Sequence, residues 1–307
     1  MNARKSIRIG TRESALALFQ AHEVQRHLNQ KGVETKIVEI ASDGDIDLTT
    51  PLYEMGIQGI FTKSLDIALL ENRIDVAVHS AKDIPTKLAK GLLISAVRER
   101  ATPFDCLVLP AGKQSIDYDQ SCRIATSSLR RKTQWLYKYP NHHTENLRGN
   151  ILSRLTKLDE SAWQGAIFAQ AAIERLKITS HRFITLDWML PAPAQGAIAI
   201  VSRQDDERTN EICSSINHLA TQLCISVERD FLAALHGGCA VPIAAHATIQ
   251  SNSLFFRGNI FSLDAKQKYE VELSLPMETA VGAGKLAAKE ILQKGAEAII
   301  KSFRPSF

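Results

Sequence analysis

Two consecutive arginines, Arg130 and Arg131, close the stretch TSSLRR, and the hydroxyls of Thr126, Ser127 and Ser128 run directly into them. Hydroxyl donors, the free backbone N–H groups of a helix start and paired guanidiniums are the chemistry of an anion site. LRGN, at 147–150, sets Arg148 beside Gly149, with Arg154 one turn further on, and GTRES, at 10–14, offers Arg12 and Ser14 in the same arrangement. Taken singly, each reads as a helix cap with a surface arginine. Three in one chain point to a ligand with several negative charges. HSAKDIP, at 79–85, adds Ser80, Lys82 and a carboxylate, Asp83, where the apolar run IDVAV ends. Held among cations, such a carboxylate stays ionised and can stabilise positive charge forming on a substrate. The competing reading is an Asp cap paired with Lys82. HGGCAVP, at 236–242, places Cys239 after two glycines and before Pro242. Most free cysteines are small buried residues, but a loop this short of side chains can also project a thiol toward backbone N–H groups that favour its thiolate.

Other chemistries find little support. The five cysteines form no C-x-x-C pair, and the nine histidines form no H-E-x-x-H, so neither zinc nor a disulfide framework is expected. GAGK, at 282–285, is followed by Leu286 where a phosphate-binding loop needs Ser or Thr, and no G-x-G-x-x-G occurs. His79-Ser80 lacks the G-x-S-x-G of a hydrolase elbow. A net charge of +4 is too small to argue for nucleic acid, although between Arg123 and Lys157 the only acid is Glu145, a local cationic field. No apolar run approaches the roughly 18 residues of a membrane span, and the basic N-terminus carries no apolar signal core. A cytoplasmic protein is expected. No long apolar stripe is left over, so the expected state is a monomer.

The elements that position these stretches alternate. SIRIG, TKIVEI, IDVAVHS and LLISAV read as strands, with helices over 14–30 and 62–72. This is α/β with a mainly parallel sheet, whose ligands belong beyond the strand ends. From Asp105 the pattern restarts with CLVLP, CRIATSS running into a helix, a helix over 150–158, the strand GAIFAQ and a helix over 171–176. FITLDWMLPAPAQG then marks a crossing or hinge, and the strand AIAIVSR suggests a return to the first lobe. A helix over 221–235, the strands IAAHATI, SLFFRGNIF and KYEVELSL, and an amphipathic helix over 278–302 make a small α+β domain. The expected domains are 1–99 with 197–217, 104–193, and 221–307.

These fragments, in this order, resemble porphobilinogen deaminase, the hydroxymethylbilane synthase family. The similarity runs through SIRIGTRESALAL, GDIDLTTPL, FTKSLDIALLENRIDVAVHSAKDIPT, RIATSSLRRKTQW, LRGNI, PAQGA and GGCAVP. It implies two α/β lobes like type II periplasmic binding proteins plus a small α+β C-terminal domain with an antiparallel sheet. It implies that Cys239 carries a dipyrromethane cofactor through a thioether. Four porphobilinogen units then join head to tail with loss of ammonia, and water releases the linear tetrapyrrole. By the same resemblance Asp83 is the catalytic carboxylate. It hydrogen-bonds pyrrole N–H groups and stabilises the cationic azafulvene left as ammonia departs. Arg12, Ser14, Ser80, Lys82, Thr126, Ser128, Arg130, Arg131, Arg148, Gly149 and Arg154 hold carboxylates of cofactor and substrate, with Arg175 and Gln195 as weaker candidates.

The chain departs from the family pattern at three places. Gln58 stands where a lysine is common, a contact that Lys63 could supply. Ala194 stands where glycine is usual, and Ser42-Asp43 replaces a threonine and a basic residue. The competing functions are a two-lobed small-anion binding module without catalysis, which has no need of the cysteine loop, and a Cys239 hydrolase, which lacks an oriented histidine.

Overall fold

The computed structural model describes residues 6–41, 62–235 and 241–303. Its strands, in chain order, are β1 (Ile7–Thr11), β2 (Thr35–Glu39), β3 (Val76–Ser80), β4 (Leu92–Val97), β5 (Asp105–Val108), β6 (Arg123–Ala125), β7 (His143–Glu145), β8 (Gly165–Ala169), β9 (Phe183–Leu186), β10 (Ile198–Arg203), β11 (Ile243–Gln250), β12 (Ser253–Phe261) and β13 (Lys268–Pro276). The helices are α1 (Ala15–Gln30), α2 (Lys63–Leu70), α3 (Leu129–Lys138), α4 (Ile151–Glu160), α5 (Gln170–Arg175), α6 (Glu207–Ser214), α7 (Leu219–Ala234), α8 (Ala283–Ile291) and α9 (Glu297–Ser302).

The described residues fall into two compact units, one of 6–41, 62–101 and 196–222, the other of 102–195, 223–235 and 241–303. The first contains the sheet β2-β1-β3-β10-β4, and the second contains β7-β6-β8-β5-β9 together with the meander β11-β12-β13. The two five-stranded sheets share one plan. Three parallel strands come first, and the fourth position is filled by a strand antiparallel to both neighbours. The sheets are therefore mixed, where the strand–helix alternation suggested mainly parallel ones. In the first sheet the antiparallel strand is β10, to which the chain returns after the second sheet; in the second it is β5, the earliest of that sheet in sequence. The architecture is α/β, with two similarly built five-stranded sheets and a small C-terminal antiparallel sheet.

The second five-stranded sheet is covered on both faces, which explains why its strands read as continuous apolar runs. Cys106, Val108, Ala166 and Phe168 pack to one side, while Leu107 and Ile167 pack to the other around the buried Trp135. The C-terminal meander closes on α7 and α8. Phe231 of α7 meets Phe256 of β12 edge-on, ring centroids 5.2 Å apart, in a core shared with Ala283, Ala287 and Ile291 of α8. Here the GAGK stretch finds its use. Gly284 lies so close to α7 that a Cβ would collide with the Val227 carbonyl oxygen. The stretch therefore serves helix packing.

Several expectations need correction. The helix expected over 278–302 is broken, with a 3-10 turn at Met277–Thr279, then α8, a π-turn at Leu292–Ala296 kinked at Gly295 (φ 111°), and α9. The strands β7 and β9 and helix α6 went unpredicted. The polar HTE of β7 has no alternation to read, and it becomes a strand only by pairing in parallel with β6. Helix α6 did carry a signal in Asp206, whose carboxylate caps it by accepting from the Thr209 N–H at 3.1 Å. Residues 102–195 lie in one compact unit with 223–235 and 241–303. Buried Glu228 of α7 ties them, accepting from the Ala194 N–H at 2.6 Å and the Ala247 N–H at 2.7 Å. No helix among the described residues is long and apolar enough to cross a membrane.

Candidate active site

In the first unit, β1 and β3 are parallel neighbours, so their C-terminal ends lie side by side. The chain leaving β1 carries Arg12 and then Ser14, whose β-region backbone and hydroxyl cap α1 by accepting from the Ala17 N–H at 3.4 Å. The chain leaving β3 turns at once through the 3-10 segment Ala81–Asp83, with the Ala81 N–H bonded to the Ala197 carbonyl at 3.0 Å. Two adjacent strand ends thereby bring a guanidinium, a helix start and a carboxylate to one small cavity of about 70 Å³, whose polar lining is Arg12, Ser14, Gln20, His79, Ser80 and Asp83. Buried Gln20 of α1 donates to Ser80 Oγ at 2.8 Å, locking helix to turn. Asp83 is half-buried, and among the described residues no hydrogen bond or ion pair engages its carboxylate. The alternative of an Asp83–Lys82 pair is not what forms. His79 is 6% exposed, and its Nε2 has no hydrogen-bond partner among the described residues. Burial, and then the charge of Arg12, push its pKa down to about 4, so the ring is neutral. Lys63, at the start of α2, is exposed and does not line this cavity. A larger cavity of about 240 Å³ on the same unit, near Arg98 and His218, is lined by none of the residues singled out from the sequence.

The second unit repeats the construction. Parallel β6 and β7 end side by side, one running into Thr126–Ser128 and α3, the other into Arg148-Gly149-Asn150 and α4. Ser127 Oγ and Leu147 exchange hydrogen bonds of 2.8 and 2.9 Å, fastening the two turns. Ser128 caps α3, and Asn150 caps α4. Gly149, at φ 114°, has the left-handed backbone that suits glycine, and a Cβ there would strike Ser153 Oγ. Arg154 Nε donates to the Gly149 carbonyl at 2.6 Å. Arg148 is buried, and half-buried Arg175 ends α5.

Arg130 and Arg131 behave differently from the open anion site that the sequence suggested. Both are buried against Asp105, which is fully enclosed. Arg130 Nη1 donates to Asp105 Oδ2 at 2.7 Å and to the Leu190 carbonyl at 2.9 Å. Arg131 donates to Asp105 Oδ1 through Nη2 at 2.8 Å and to the Ile167 carbonyl at 2.9 Å. Gln195 Nε2 joins at 2.9 Å. Burial alone would raise the Asp105 pKa, but the charges of Arg130 and Arg131 and their hydrogen bonds hold it well below the carboxylate range. Asp105 and His79 are the residues that sequence reasoning passed over. Nothing local in the sequence marks Asp105, whereas His79 stood in a stretch already singled out.

Cys239 and His236, with Gln58, Ser42 and Asp43, lie outside the described residues. The four other cysteines are buried. Burial pushes the Cys213 thiol up to about 11 and raises Cys106 and Cys122 as well, so these three are poorly suited to act as thiolates.

Two family models match the chain. The porphobilinogen deaminase dipyrromethane cofactor binding domain covers residues 7–211, and the porphobilinogen deaminase C-terminal domain covers 222–293. The chain belongs to the porphobilinogen deaminase family. A porphobilinogen deaminase of Syntrophotalea carbinolica is 37% identical over 299 residues, 96% of this chain and 95% of the relative. That of Carboxydothermus hydrogenoformans is 39% identical over 307 residues, 98% of each. Among solved structures, the Bordetella pertussis BvgS VFT2 domain (12% identity, 69% of this chain and 86% of that one, TM-score 0.42) and the probable amino-acid ABC transporter extracellular-binding protein YtmK of Bacillus subtilis (9%, 70% and 90%, 0.43) are too distant to argue from. As a member of the family the chain is a transferase with hydroxymethylbilane synthase activity, serving tetrapyrrole and haem biosynthesis, and dipyrromethane is its cofactor. The binding-module reading is not favoured. The described residues fit the cofactor's chemistry. Capped helix starts and arginines at two pairs of strand ends suit its carboxylates, and an unengaged carboxylate suits its pyrrole N–H groups.

Proposed function

We propose that Asp83 is the catalytic carboxylate of this hydroxymethylbilane synthase, and that the covalent attachment of dipyrromethane is a thioether to Cys239. The observation that supports the reading is the state of Asp83: a carboxylate at adjoining strand ends, beside Arg12 and the α1 cap, with no hydrogen-bond or ion-pair partner among the described residues. When bound, dipyrromethane supplies the free pyrrole carbon to which the first substrate unit is joined. Asp83 accepts a hydrogen bond from the substrate's pyrrole N–H. As the substrate's C–N bond breaks, its electron pair leaves with ammonia and positive charge spreads over the ring toward that N–H. The carboxylate opposes the charge where it develops, so it acts on the transition state more than on binding. The proton displaced when the new C–C bond forms balances the departed ammonia as ammonium.

Arg12, Ser14, Ser80 and Lys82 on the first unit, and Thr126, Ser128, Arg148, Gly149 and Arg154 on the second, bind the acetate and propionate groups. Lys63 and Arg175 assist. Arg130, Arg131 and Gln195, already committed to Asp105, shape the α3 start and offer the growing chain only their remaining edges. The protein works in the cytoplasm as a monomer and needs neither nucleic acid nor a metal. Intact-mass measurement tests the attachment. The purified protein should exceed its sequence mass by two pyrrole units, and Cys239→Ser should remove the increment. A fully active, unmodified protein would overturn the reading.

A further inference from the structure

His79 has no part in the chemistry assigned so far, yet it is the most unusual polar group in the first unit. It belongs to β3, paired antiparallel with Ala199 of β10, and only 6% of it is exposed. A buried polar atom without a partner weakens a fold, and native structures keep few of them. Nε2 of His79 is one among the described residues, and the residue lines the same cavity as Asp83, Arg12 and the Ser14 cap. Nε2 itself is out of reach of water, and the bond it lacks is left for a ligand group that enters the cavity of about 70 Å³ beside the residue.

Resting on the assignment of this cavity to the substrate, we propose that His79 is a further substrate contact: its Nε2–H donates to the carboxylate that Arg12 binds, beside the ring held by Asp83. The residue type suits this task. A second full charge next to Arg12 would be repelled, whereas an imidazole offers an N–H donor without adding charge. Burial and the Arg12 charge keep the ring neutral down to about pH 4, so the donor persists throughout the working range. The groups facing it in the cavity are Arg12 and Asp83, one suited to the carboxylate and the other to the pyrrole N–H. A carboxylate contact of this sort serves substrate and transition state alike, so its signature is in KM.

The experiment compares His79→Leu, His79→Gln and Asp83→Asn holoenzymes with porphobilinogen as substrate, reading kcat, KM, cofactor content by intact mass, and thermal midpoint. Leucine matches the ring roughly in volume and lacks the donor. Glutamine places an amide N–H near the position of Nε2. His79→Leu should raise KM about 10-fold or more with kcat within about threefold, retain the cofactor increment, and melt no earlier than the wild type. His79→Gln should restore KM to within about threefold. A wild-type KM in His79→Leu overturns the proposal. So does a raised KM that accompanies a fall in thermal midpoint and is not restored by glutamine, because His79 would then be a packing residue. Asp83→Asn separates the two ideas: near-normal kcat there refutes the assignment of the cavity, whereas lost kcat there with an unaffected His79→Leu refutes only the contact.

Discussion

Asp83 closes the turn that leaves one sheet and Asp105 opens a strand of another similarly built one, and the protein treats them in opposite ways. Asp105 is fully buried and collects two arginines and a glutamine amide. Asp83 is half-buried beside a cavity and is engaged by no described residue. A saturated carboxylate is a structural counter-charge, with no lone pair to spare for a ligand. An unengaged one beside a cationic helix start keeps its acceptor capacity for whatever binds. The arginines are placed differently too, since Arg130 and Arg131 turn inward to Asp105 while Arg12 lines the cavity. A count of charges in the sequence would have assigned all of them to the ligand.

Removing each aspartate should therefore break different properties. Asp105→Asn leaves two buried guanidiniums short of an anion and should cost about 3–5 kcal/mol of stability, read from denaturant unfolding. An unshifted midpoint would mean that the cluster is not the keystone described. Asp83→Asn should leave that midpoint in place and lower kcat by roughly 10²–10³-fold, with the cofactor retained. Loss of stability there would erase the distinction between the two residues.

Acid sharpens the comparison further. The His79 pKa falls from its ordinary 6.5 to about 4 in the folded protein, so the unfolded chain takes up a proton first as pH drops. The stability linked to it is present above about pH 6.5 and is lost as pH falls through about 4, amounting to at most about 3 kcal/mol. The Asp105 pKa is also depressed, but from the ordinary carboxylate value, so its contribution fails only at lower pH. His79→Leu should flatten the stability curve between pH 6.5 and 4, while Asp105→Asn should leave its slope there unchanged. The smallest effect concerns Ala194, which precedes Gln195 and is buried at φ 63°. A left-handed backbone is costly for alanine and easy for glycine, so Ala194→Gly should stabilise by about 0.5–1 kcal/mol. A loss of stability would show that its methyl group packs better than this argument allows.

Much of the site was legible because its parts are local. A strand end, a capping serine and an arginine two residues earlier need only a few consecutive positions, and Ser14, Ser128 and the Arg148-Gly149-Asn150 turn all behave as their stretches suggest. The kink at Gly295 and the short strands β7 and β9 were not legible. Each depends on what lies opposite: Tyr269 against Gly295, β6 against β7, and β5 against β9.

From its residues alone the chain determined its family, its α/β character, the order of its longer elements and the identity of the groups able to do chemistry, because these are carried by spacing and by side-chain type. Tertiary structure decided which of those groups remain available. Asp105 lies some two dozen positions before the arginines that consume its charge, and His79 Nε2 is left without a partner among the described residues because neighbouring strands enclose it. Burial and ion pairing are set by what the fold brings together, and that contest for partners leaves no mark on any short stretch of sequence.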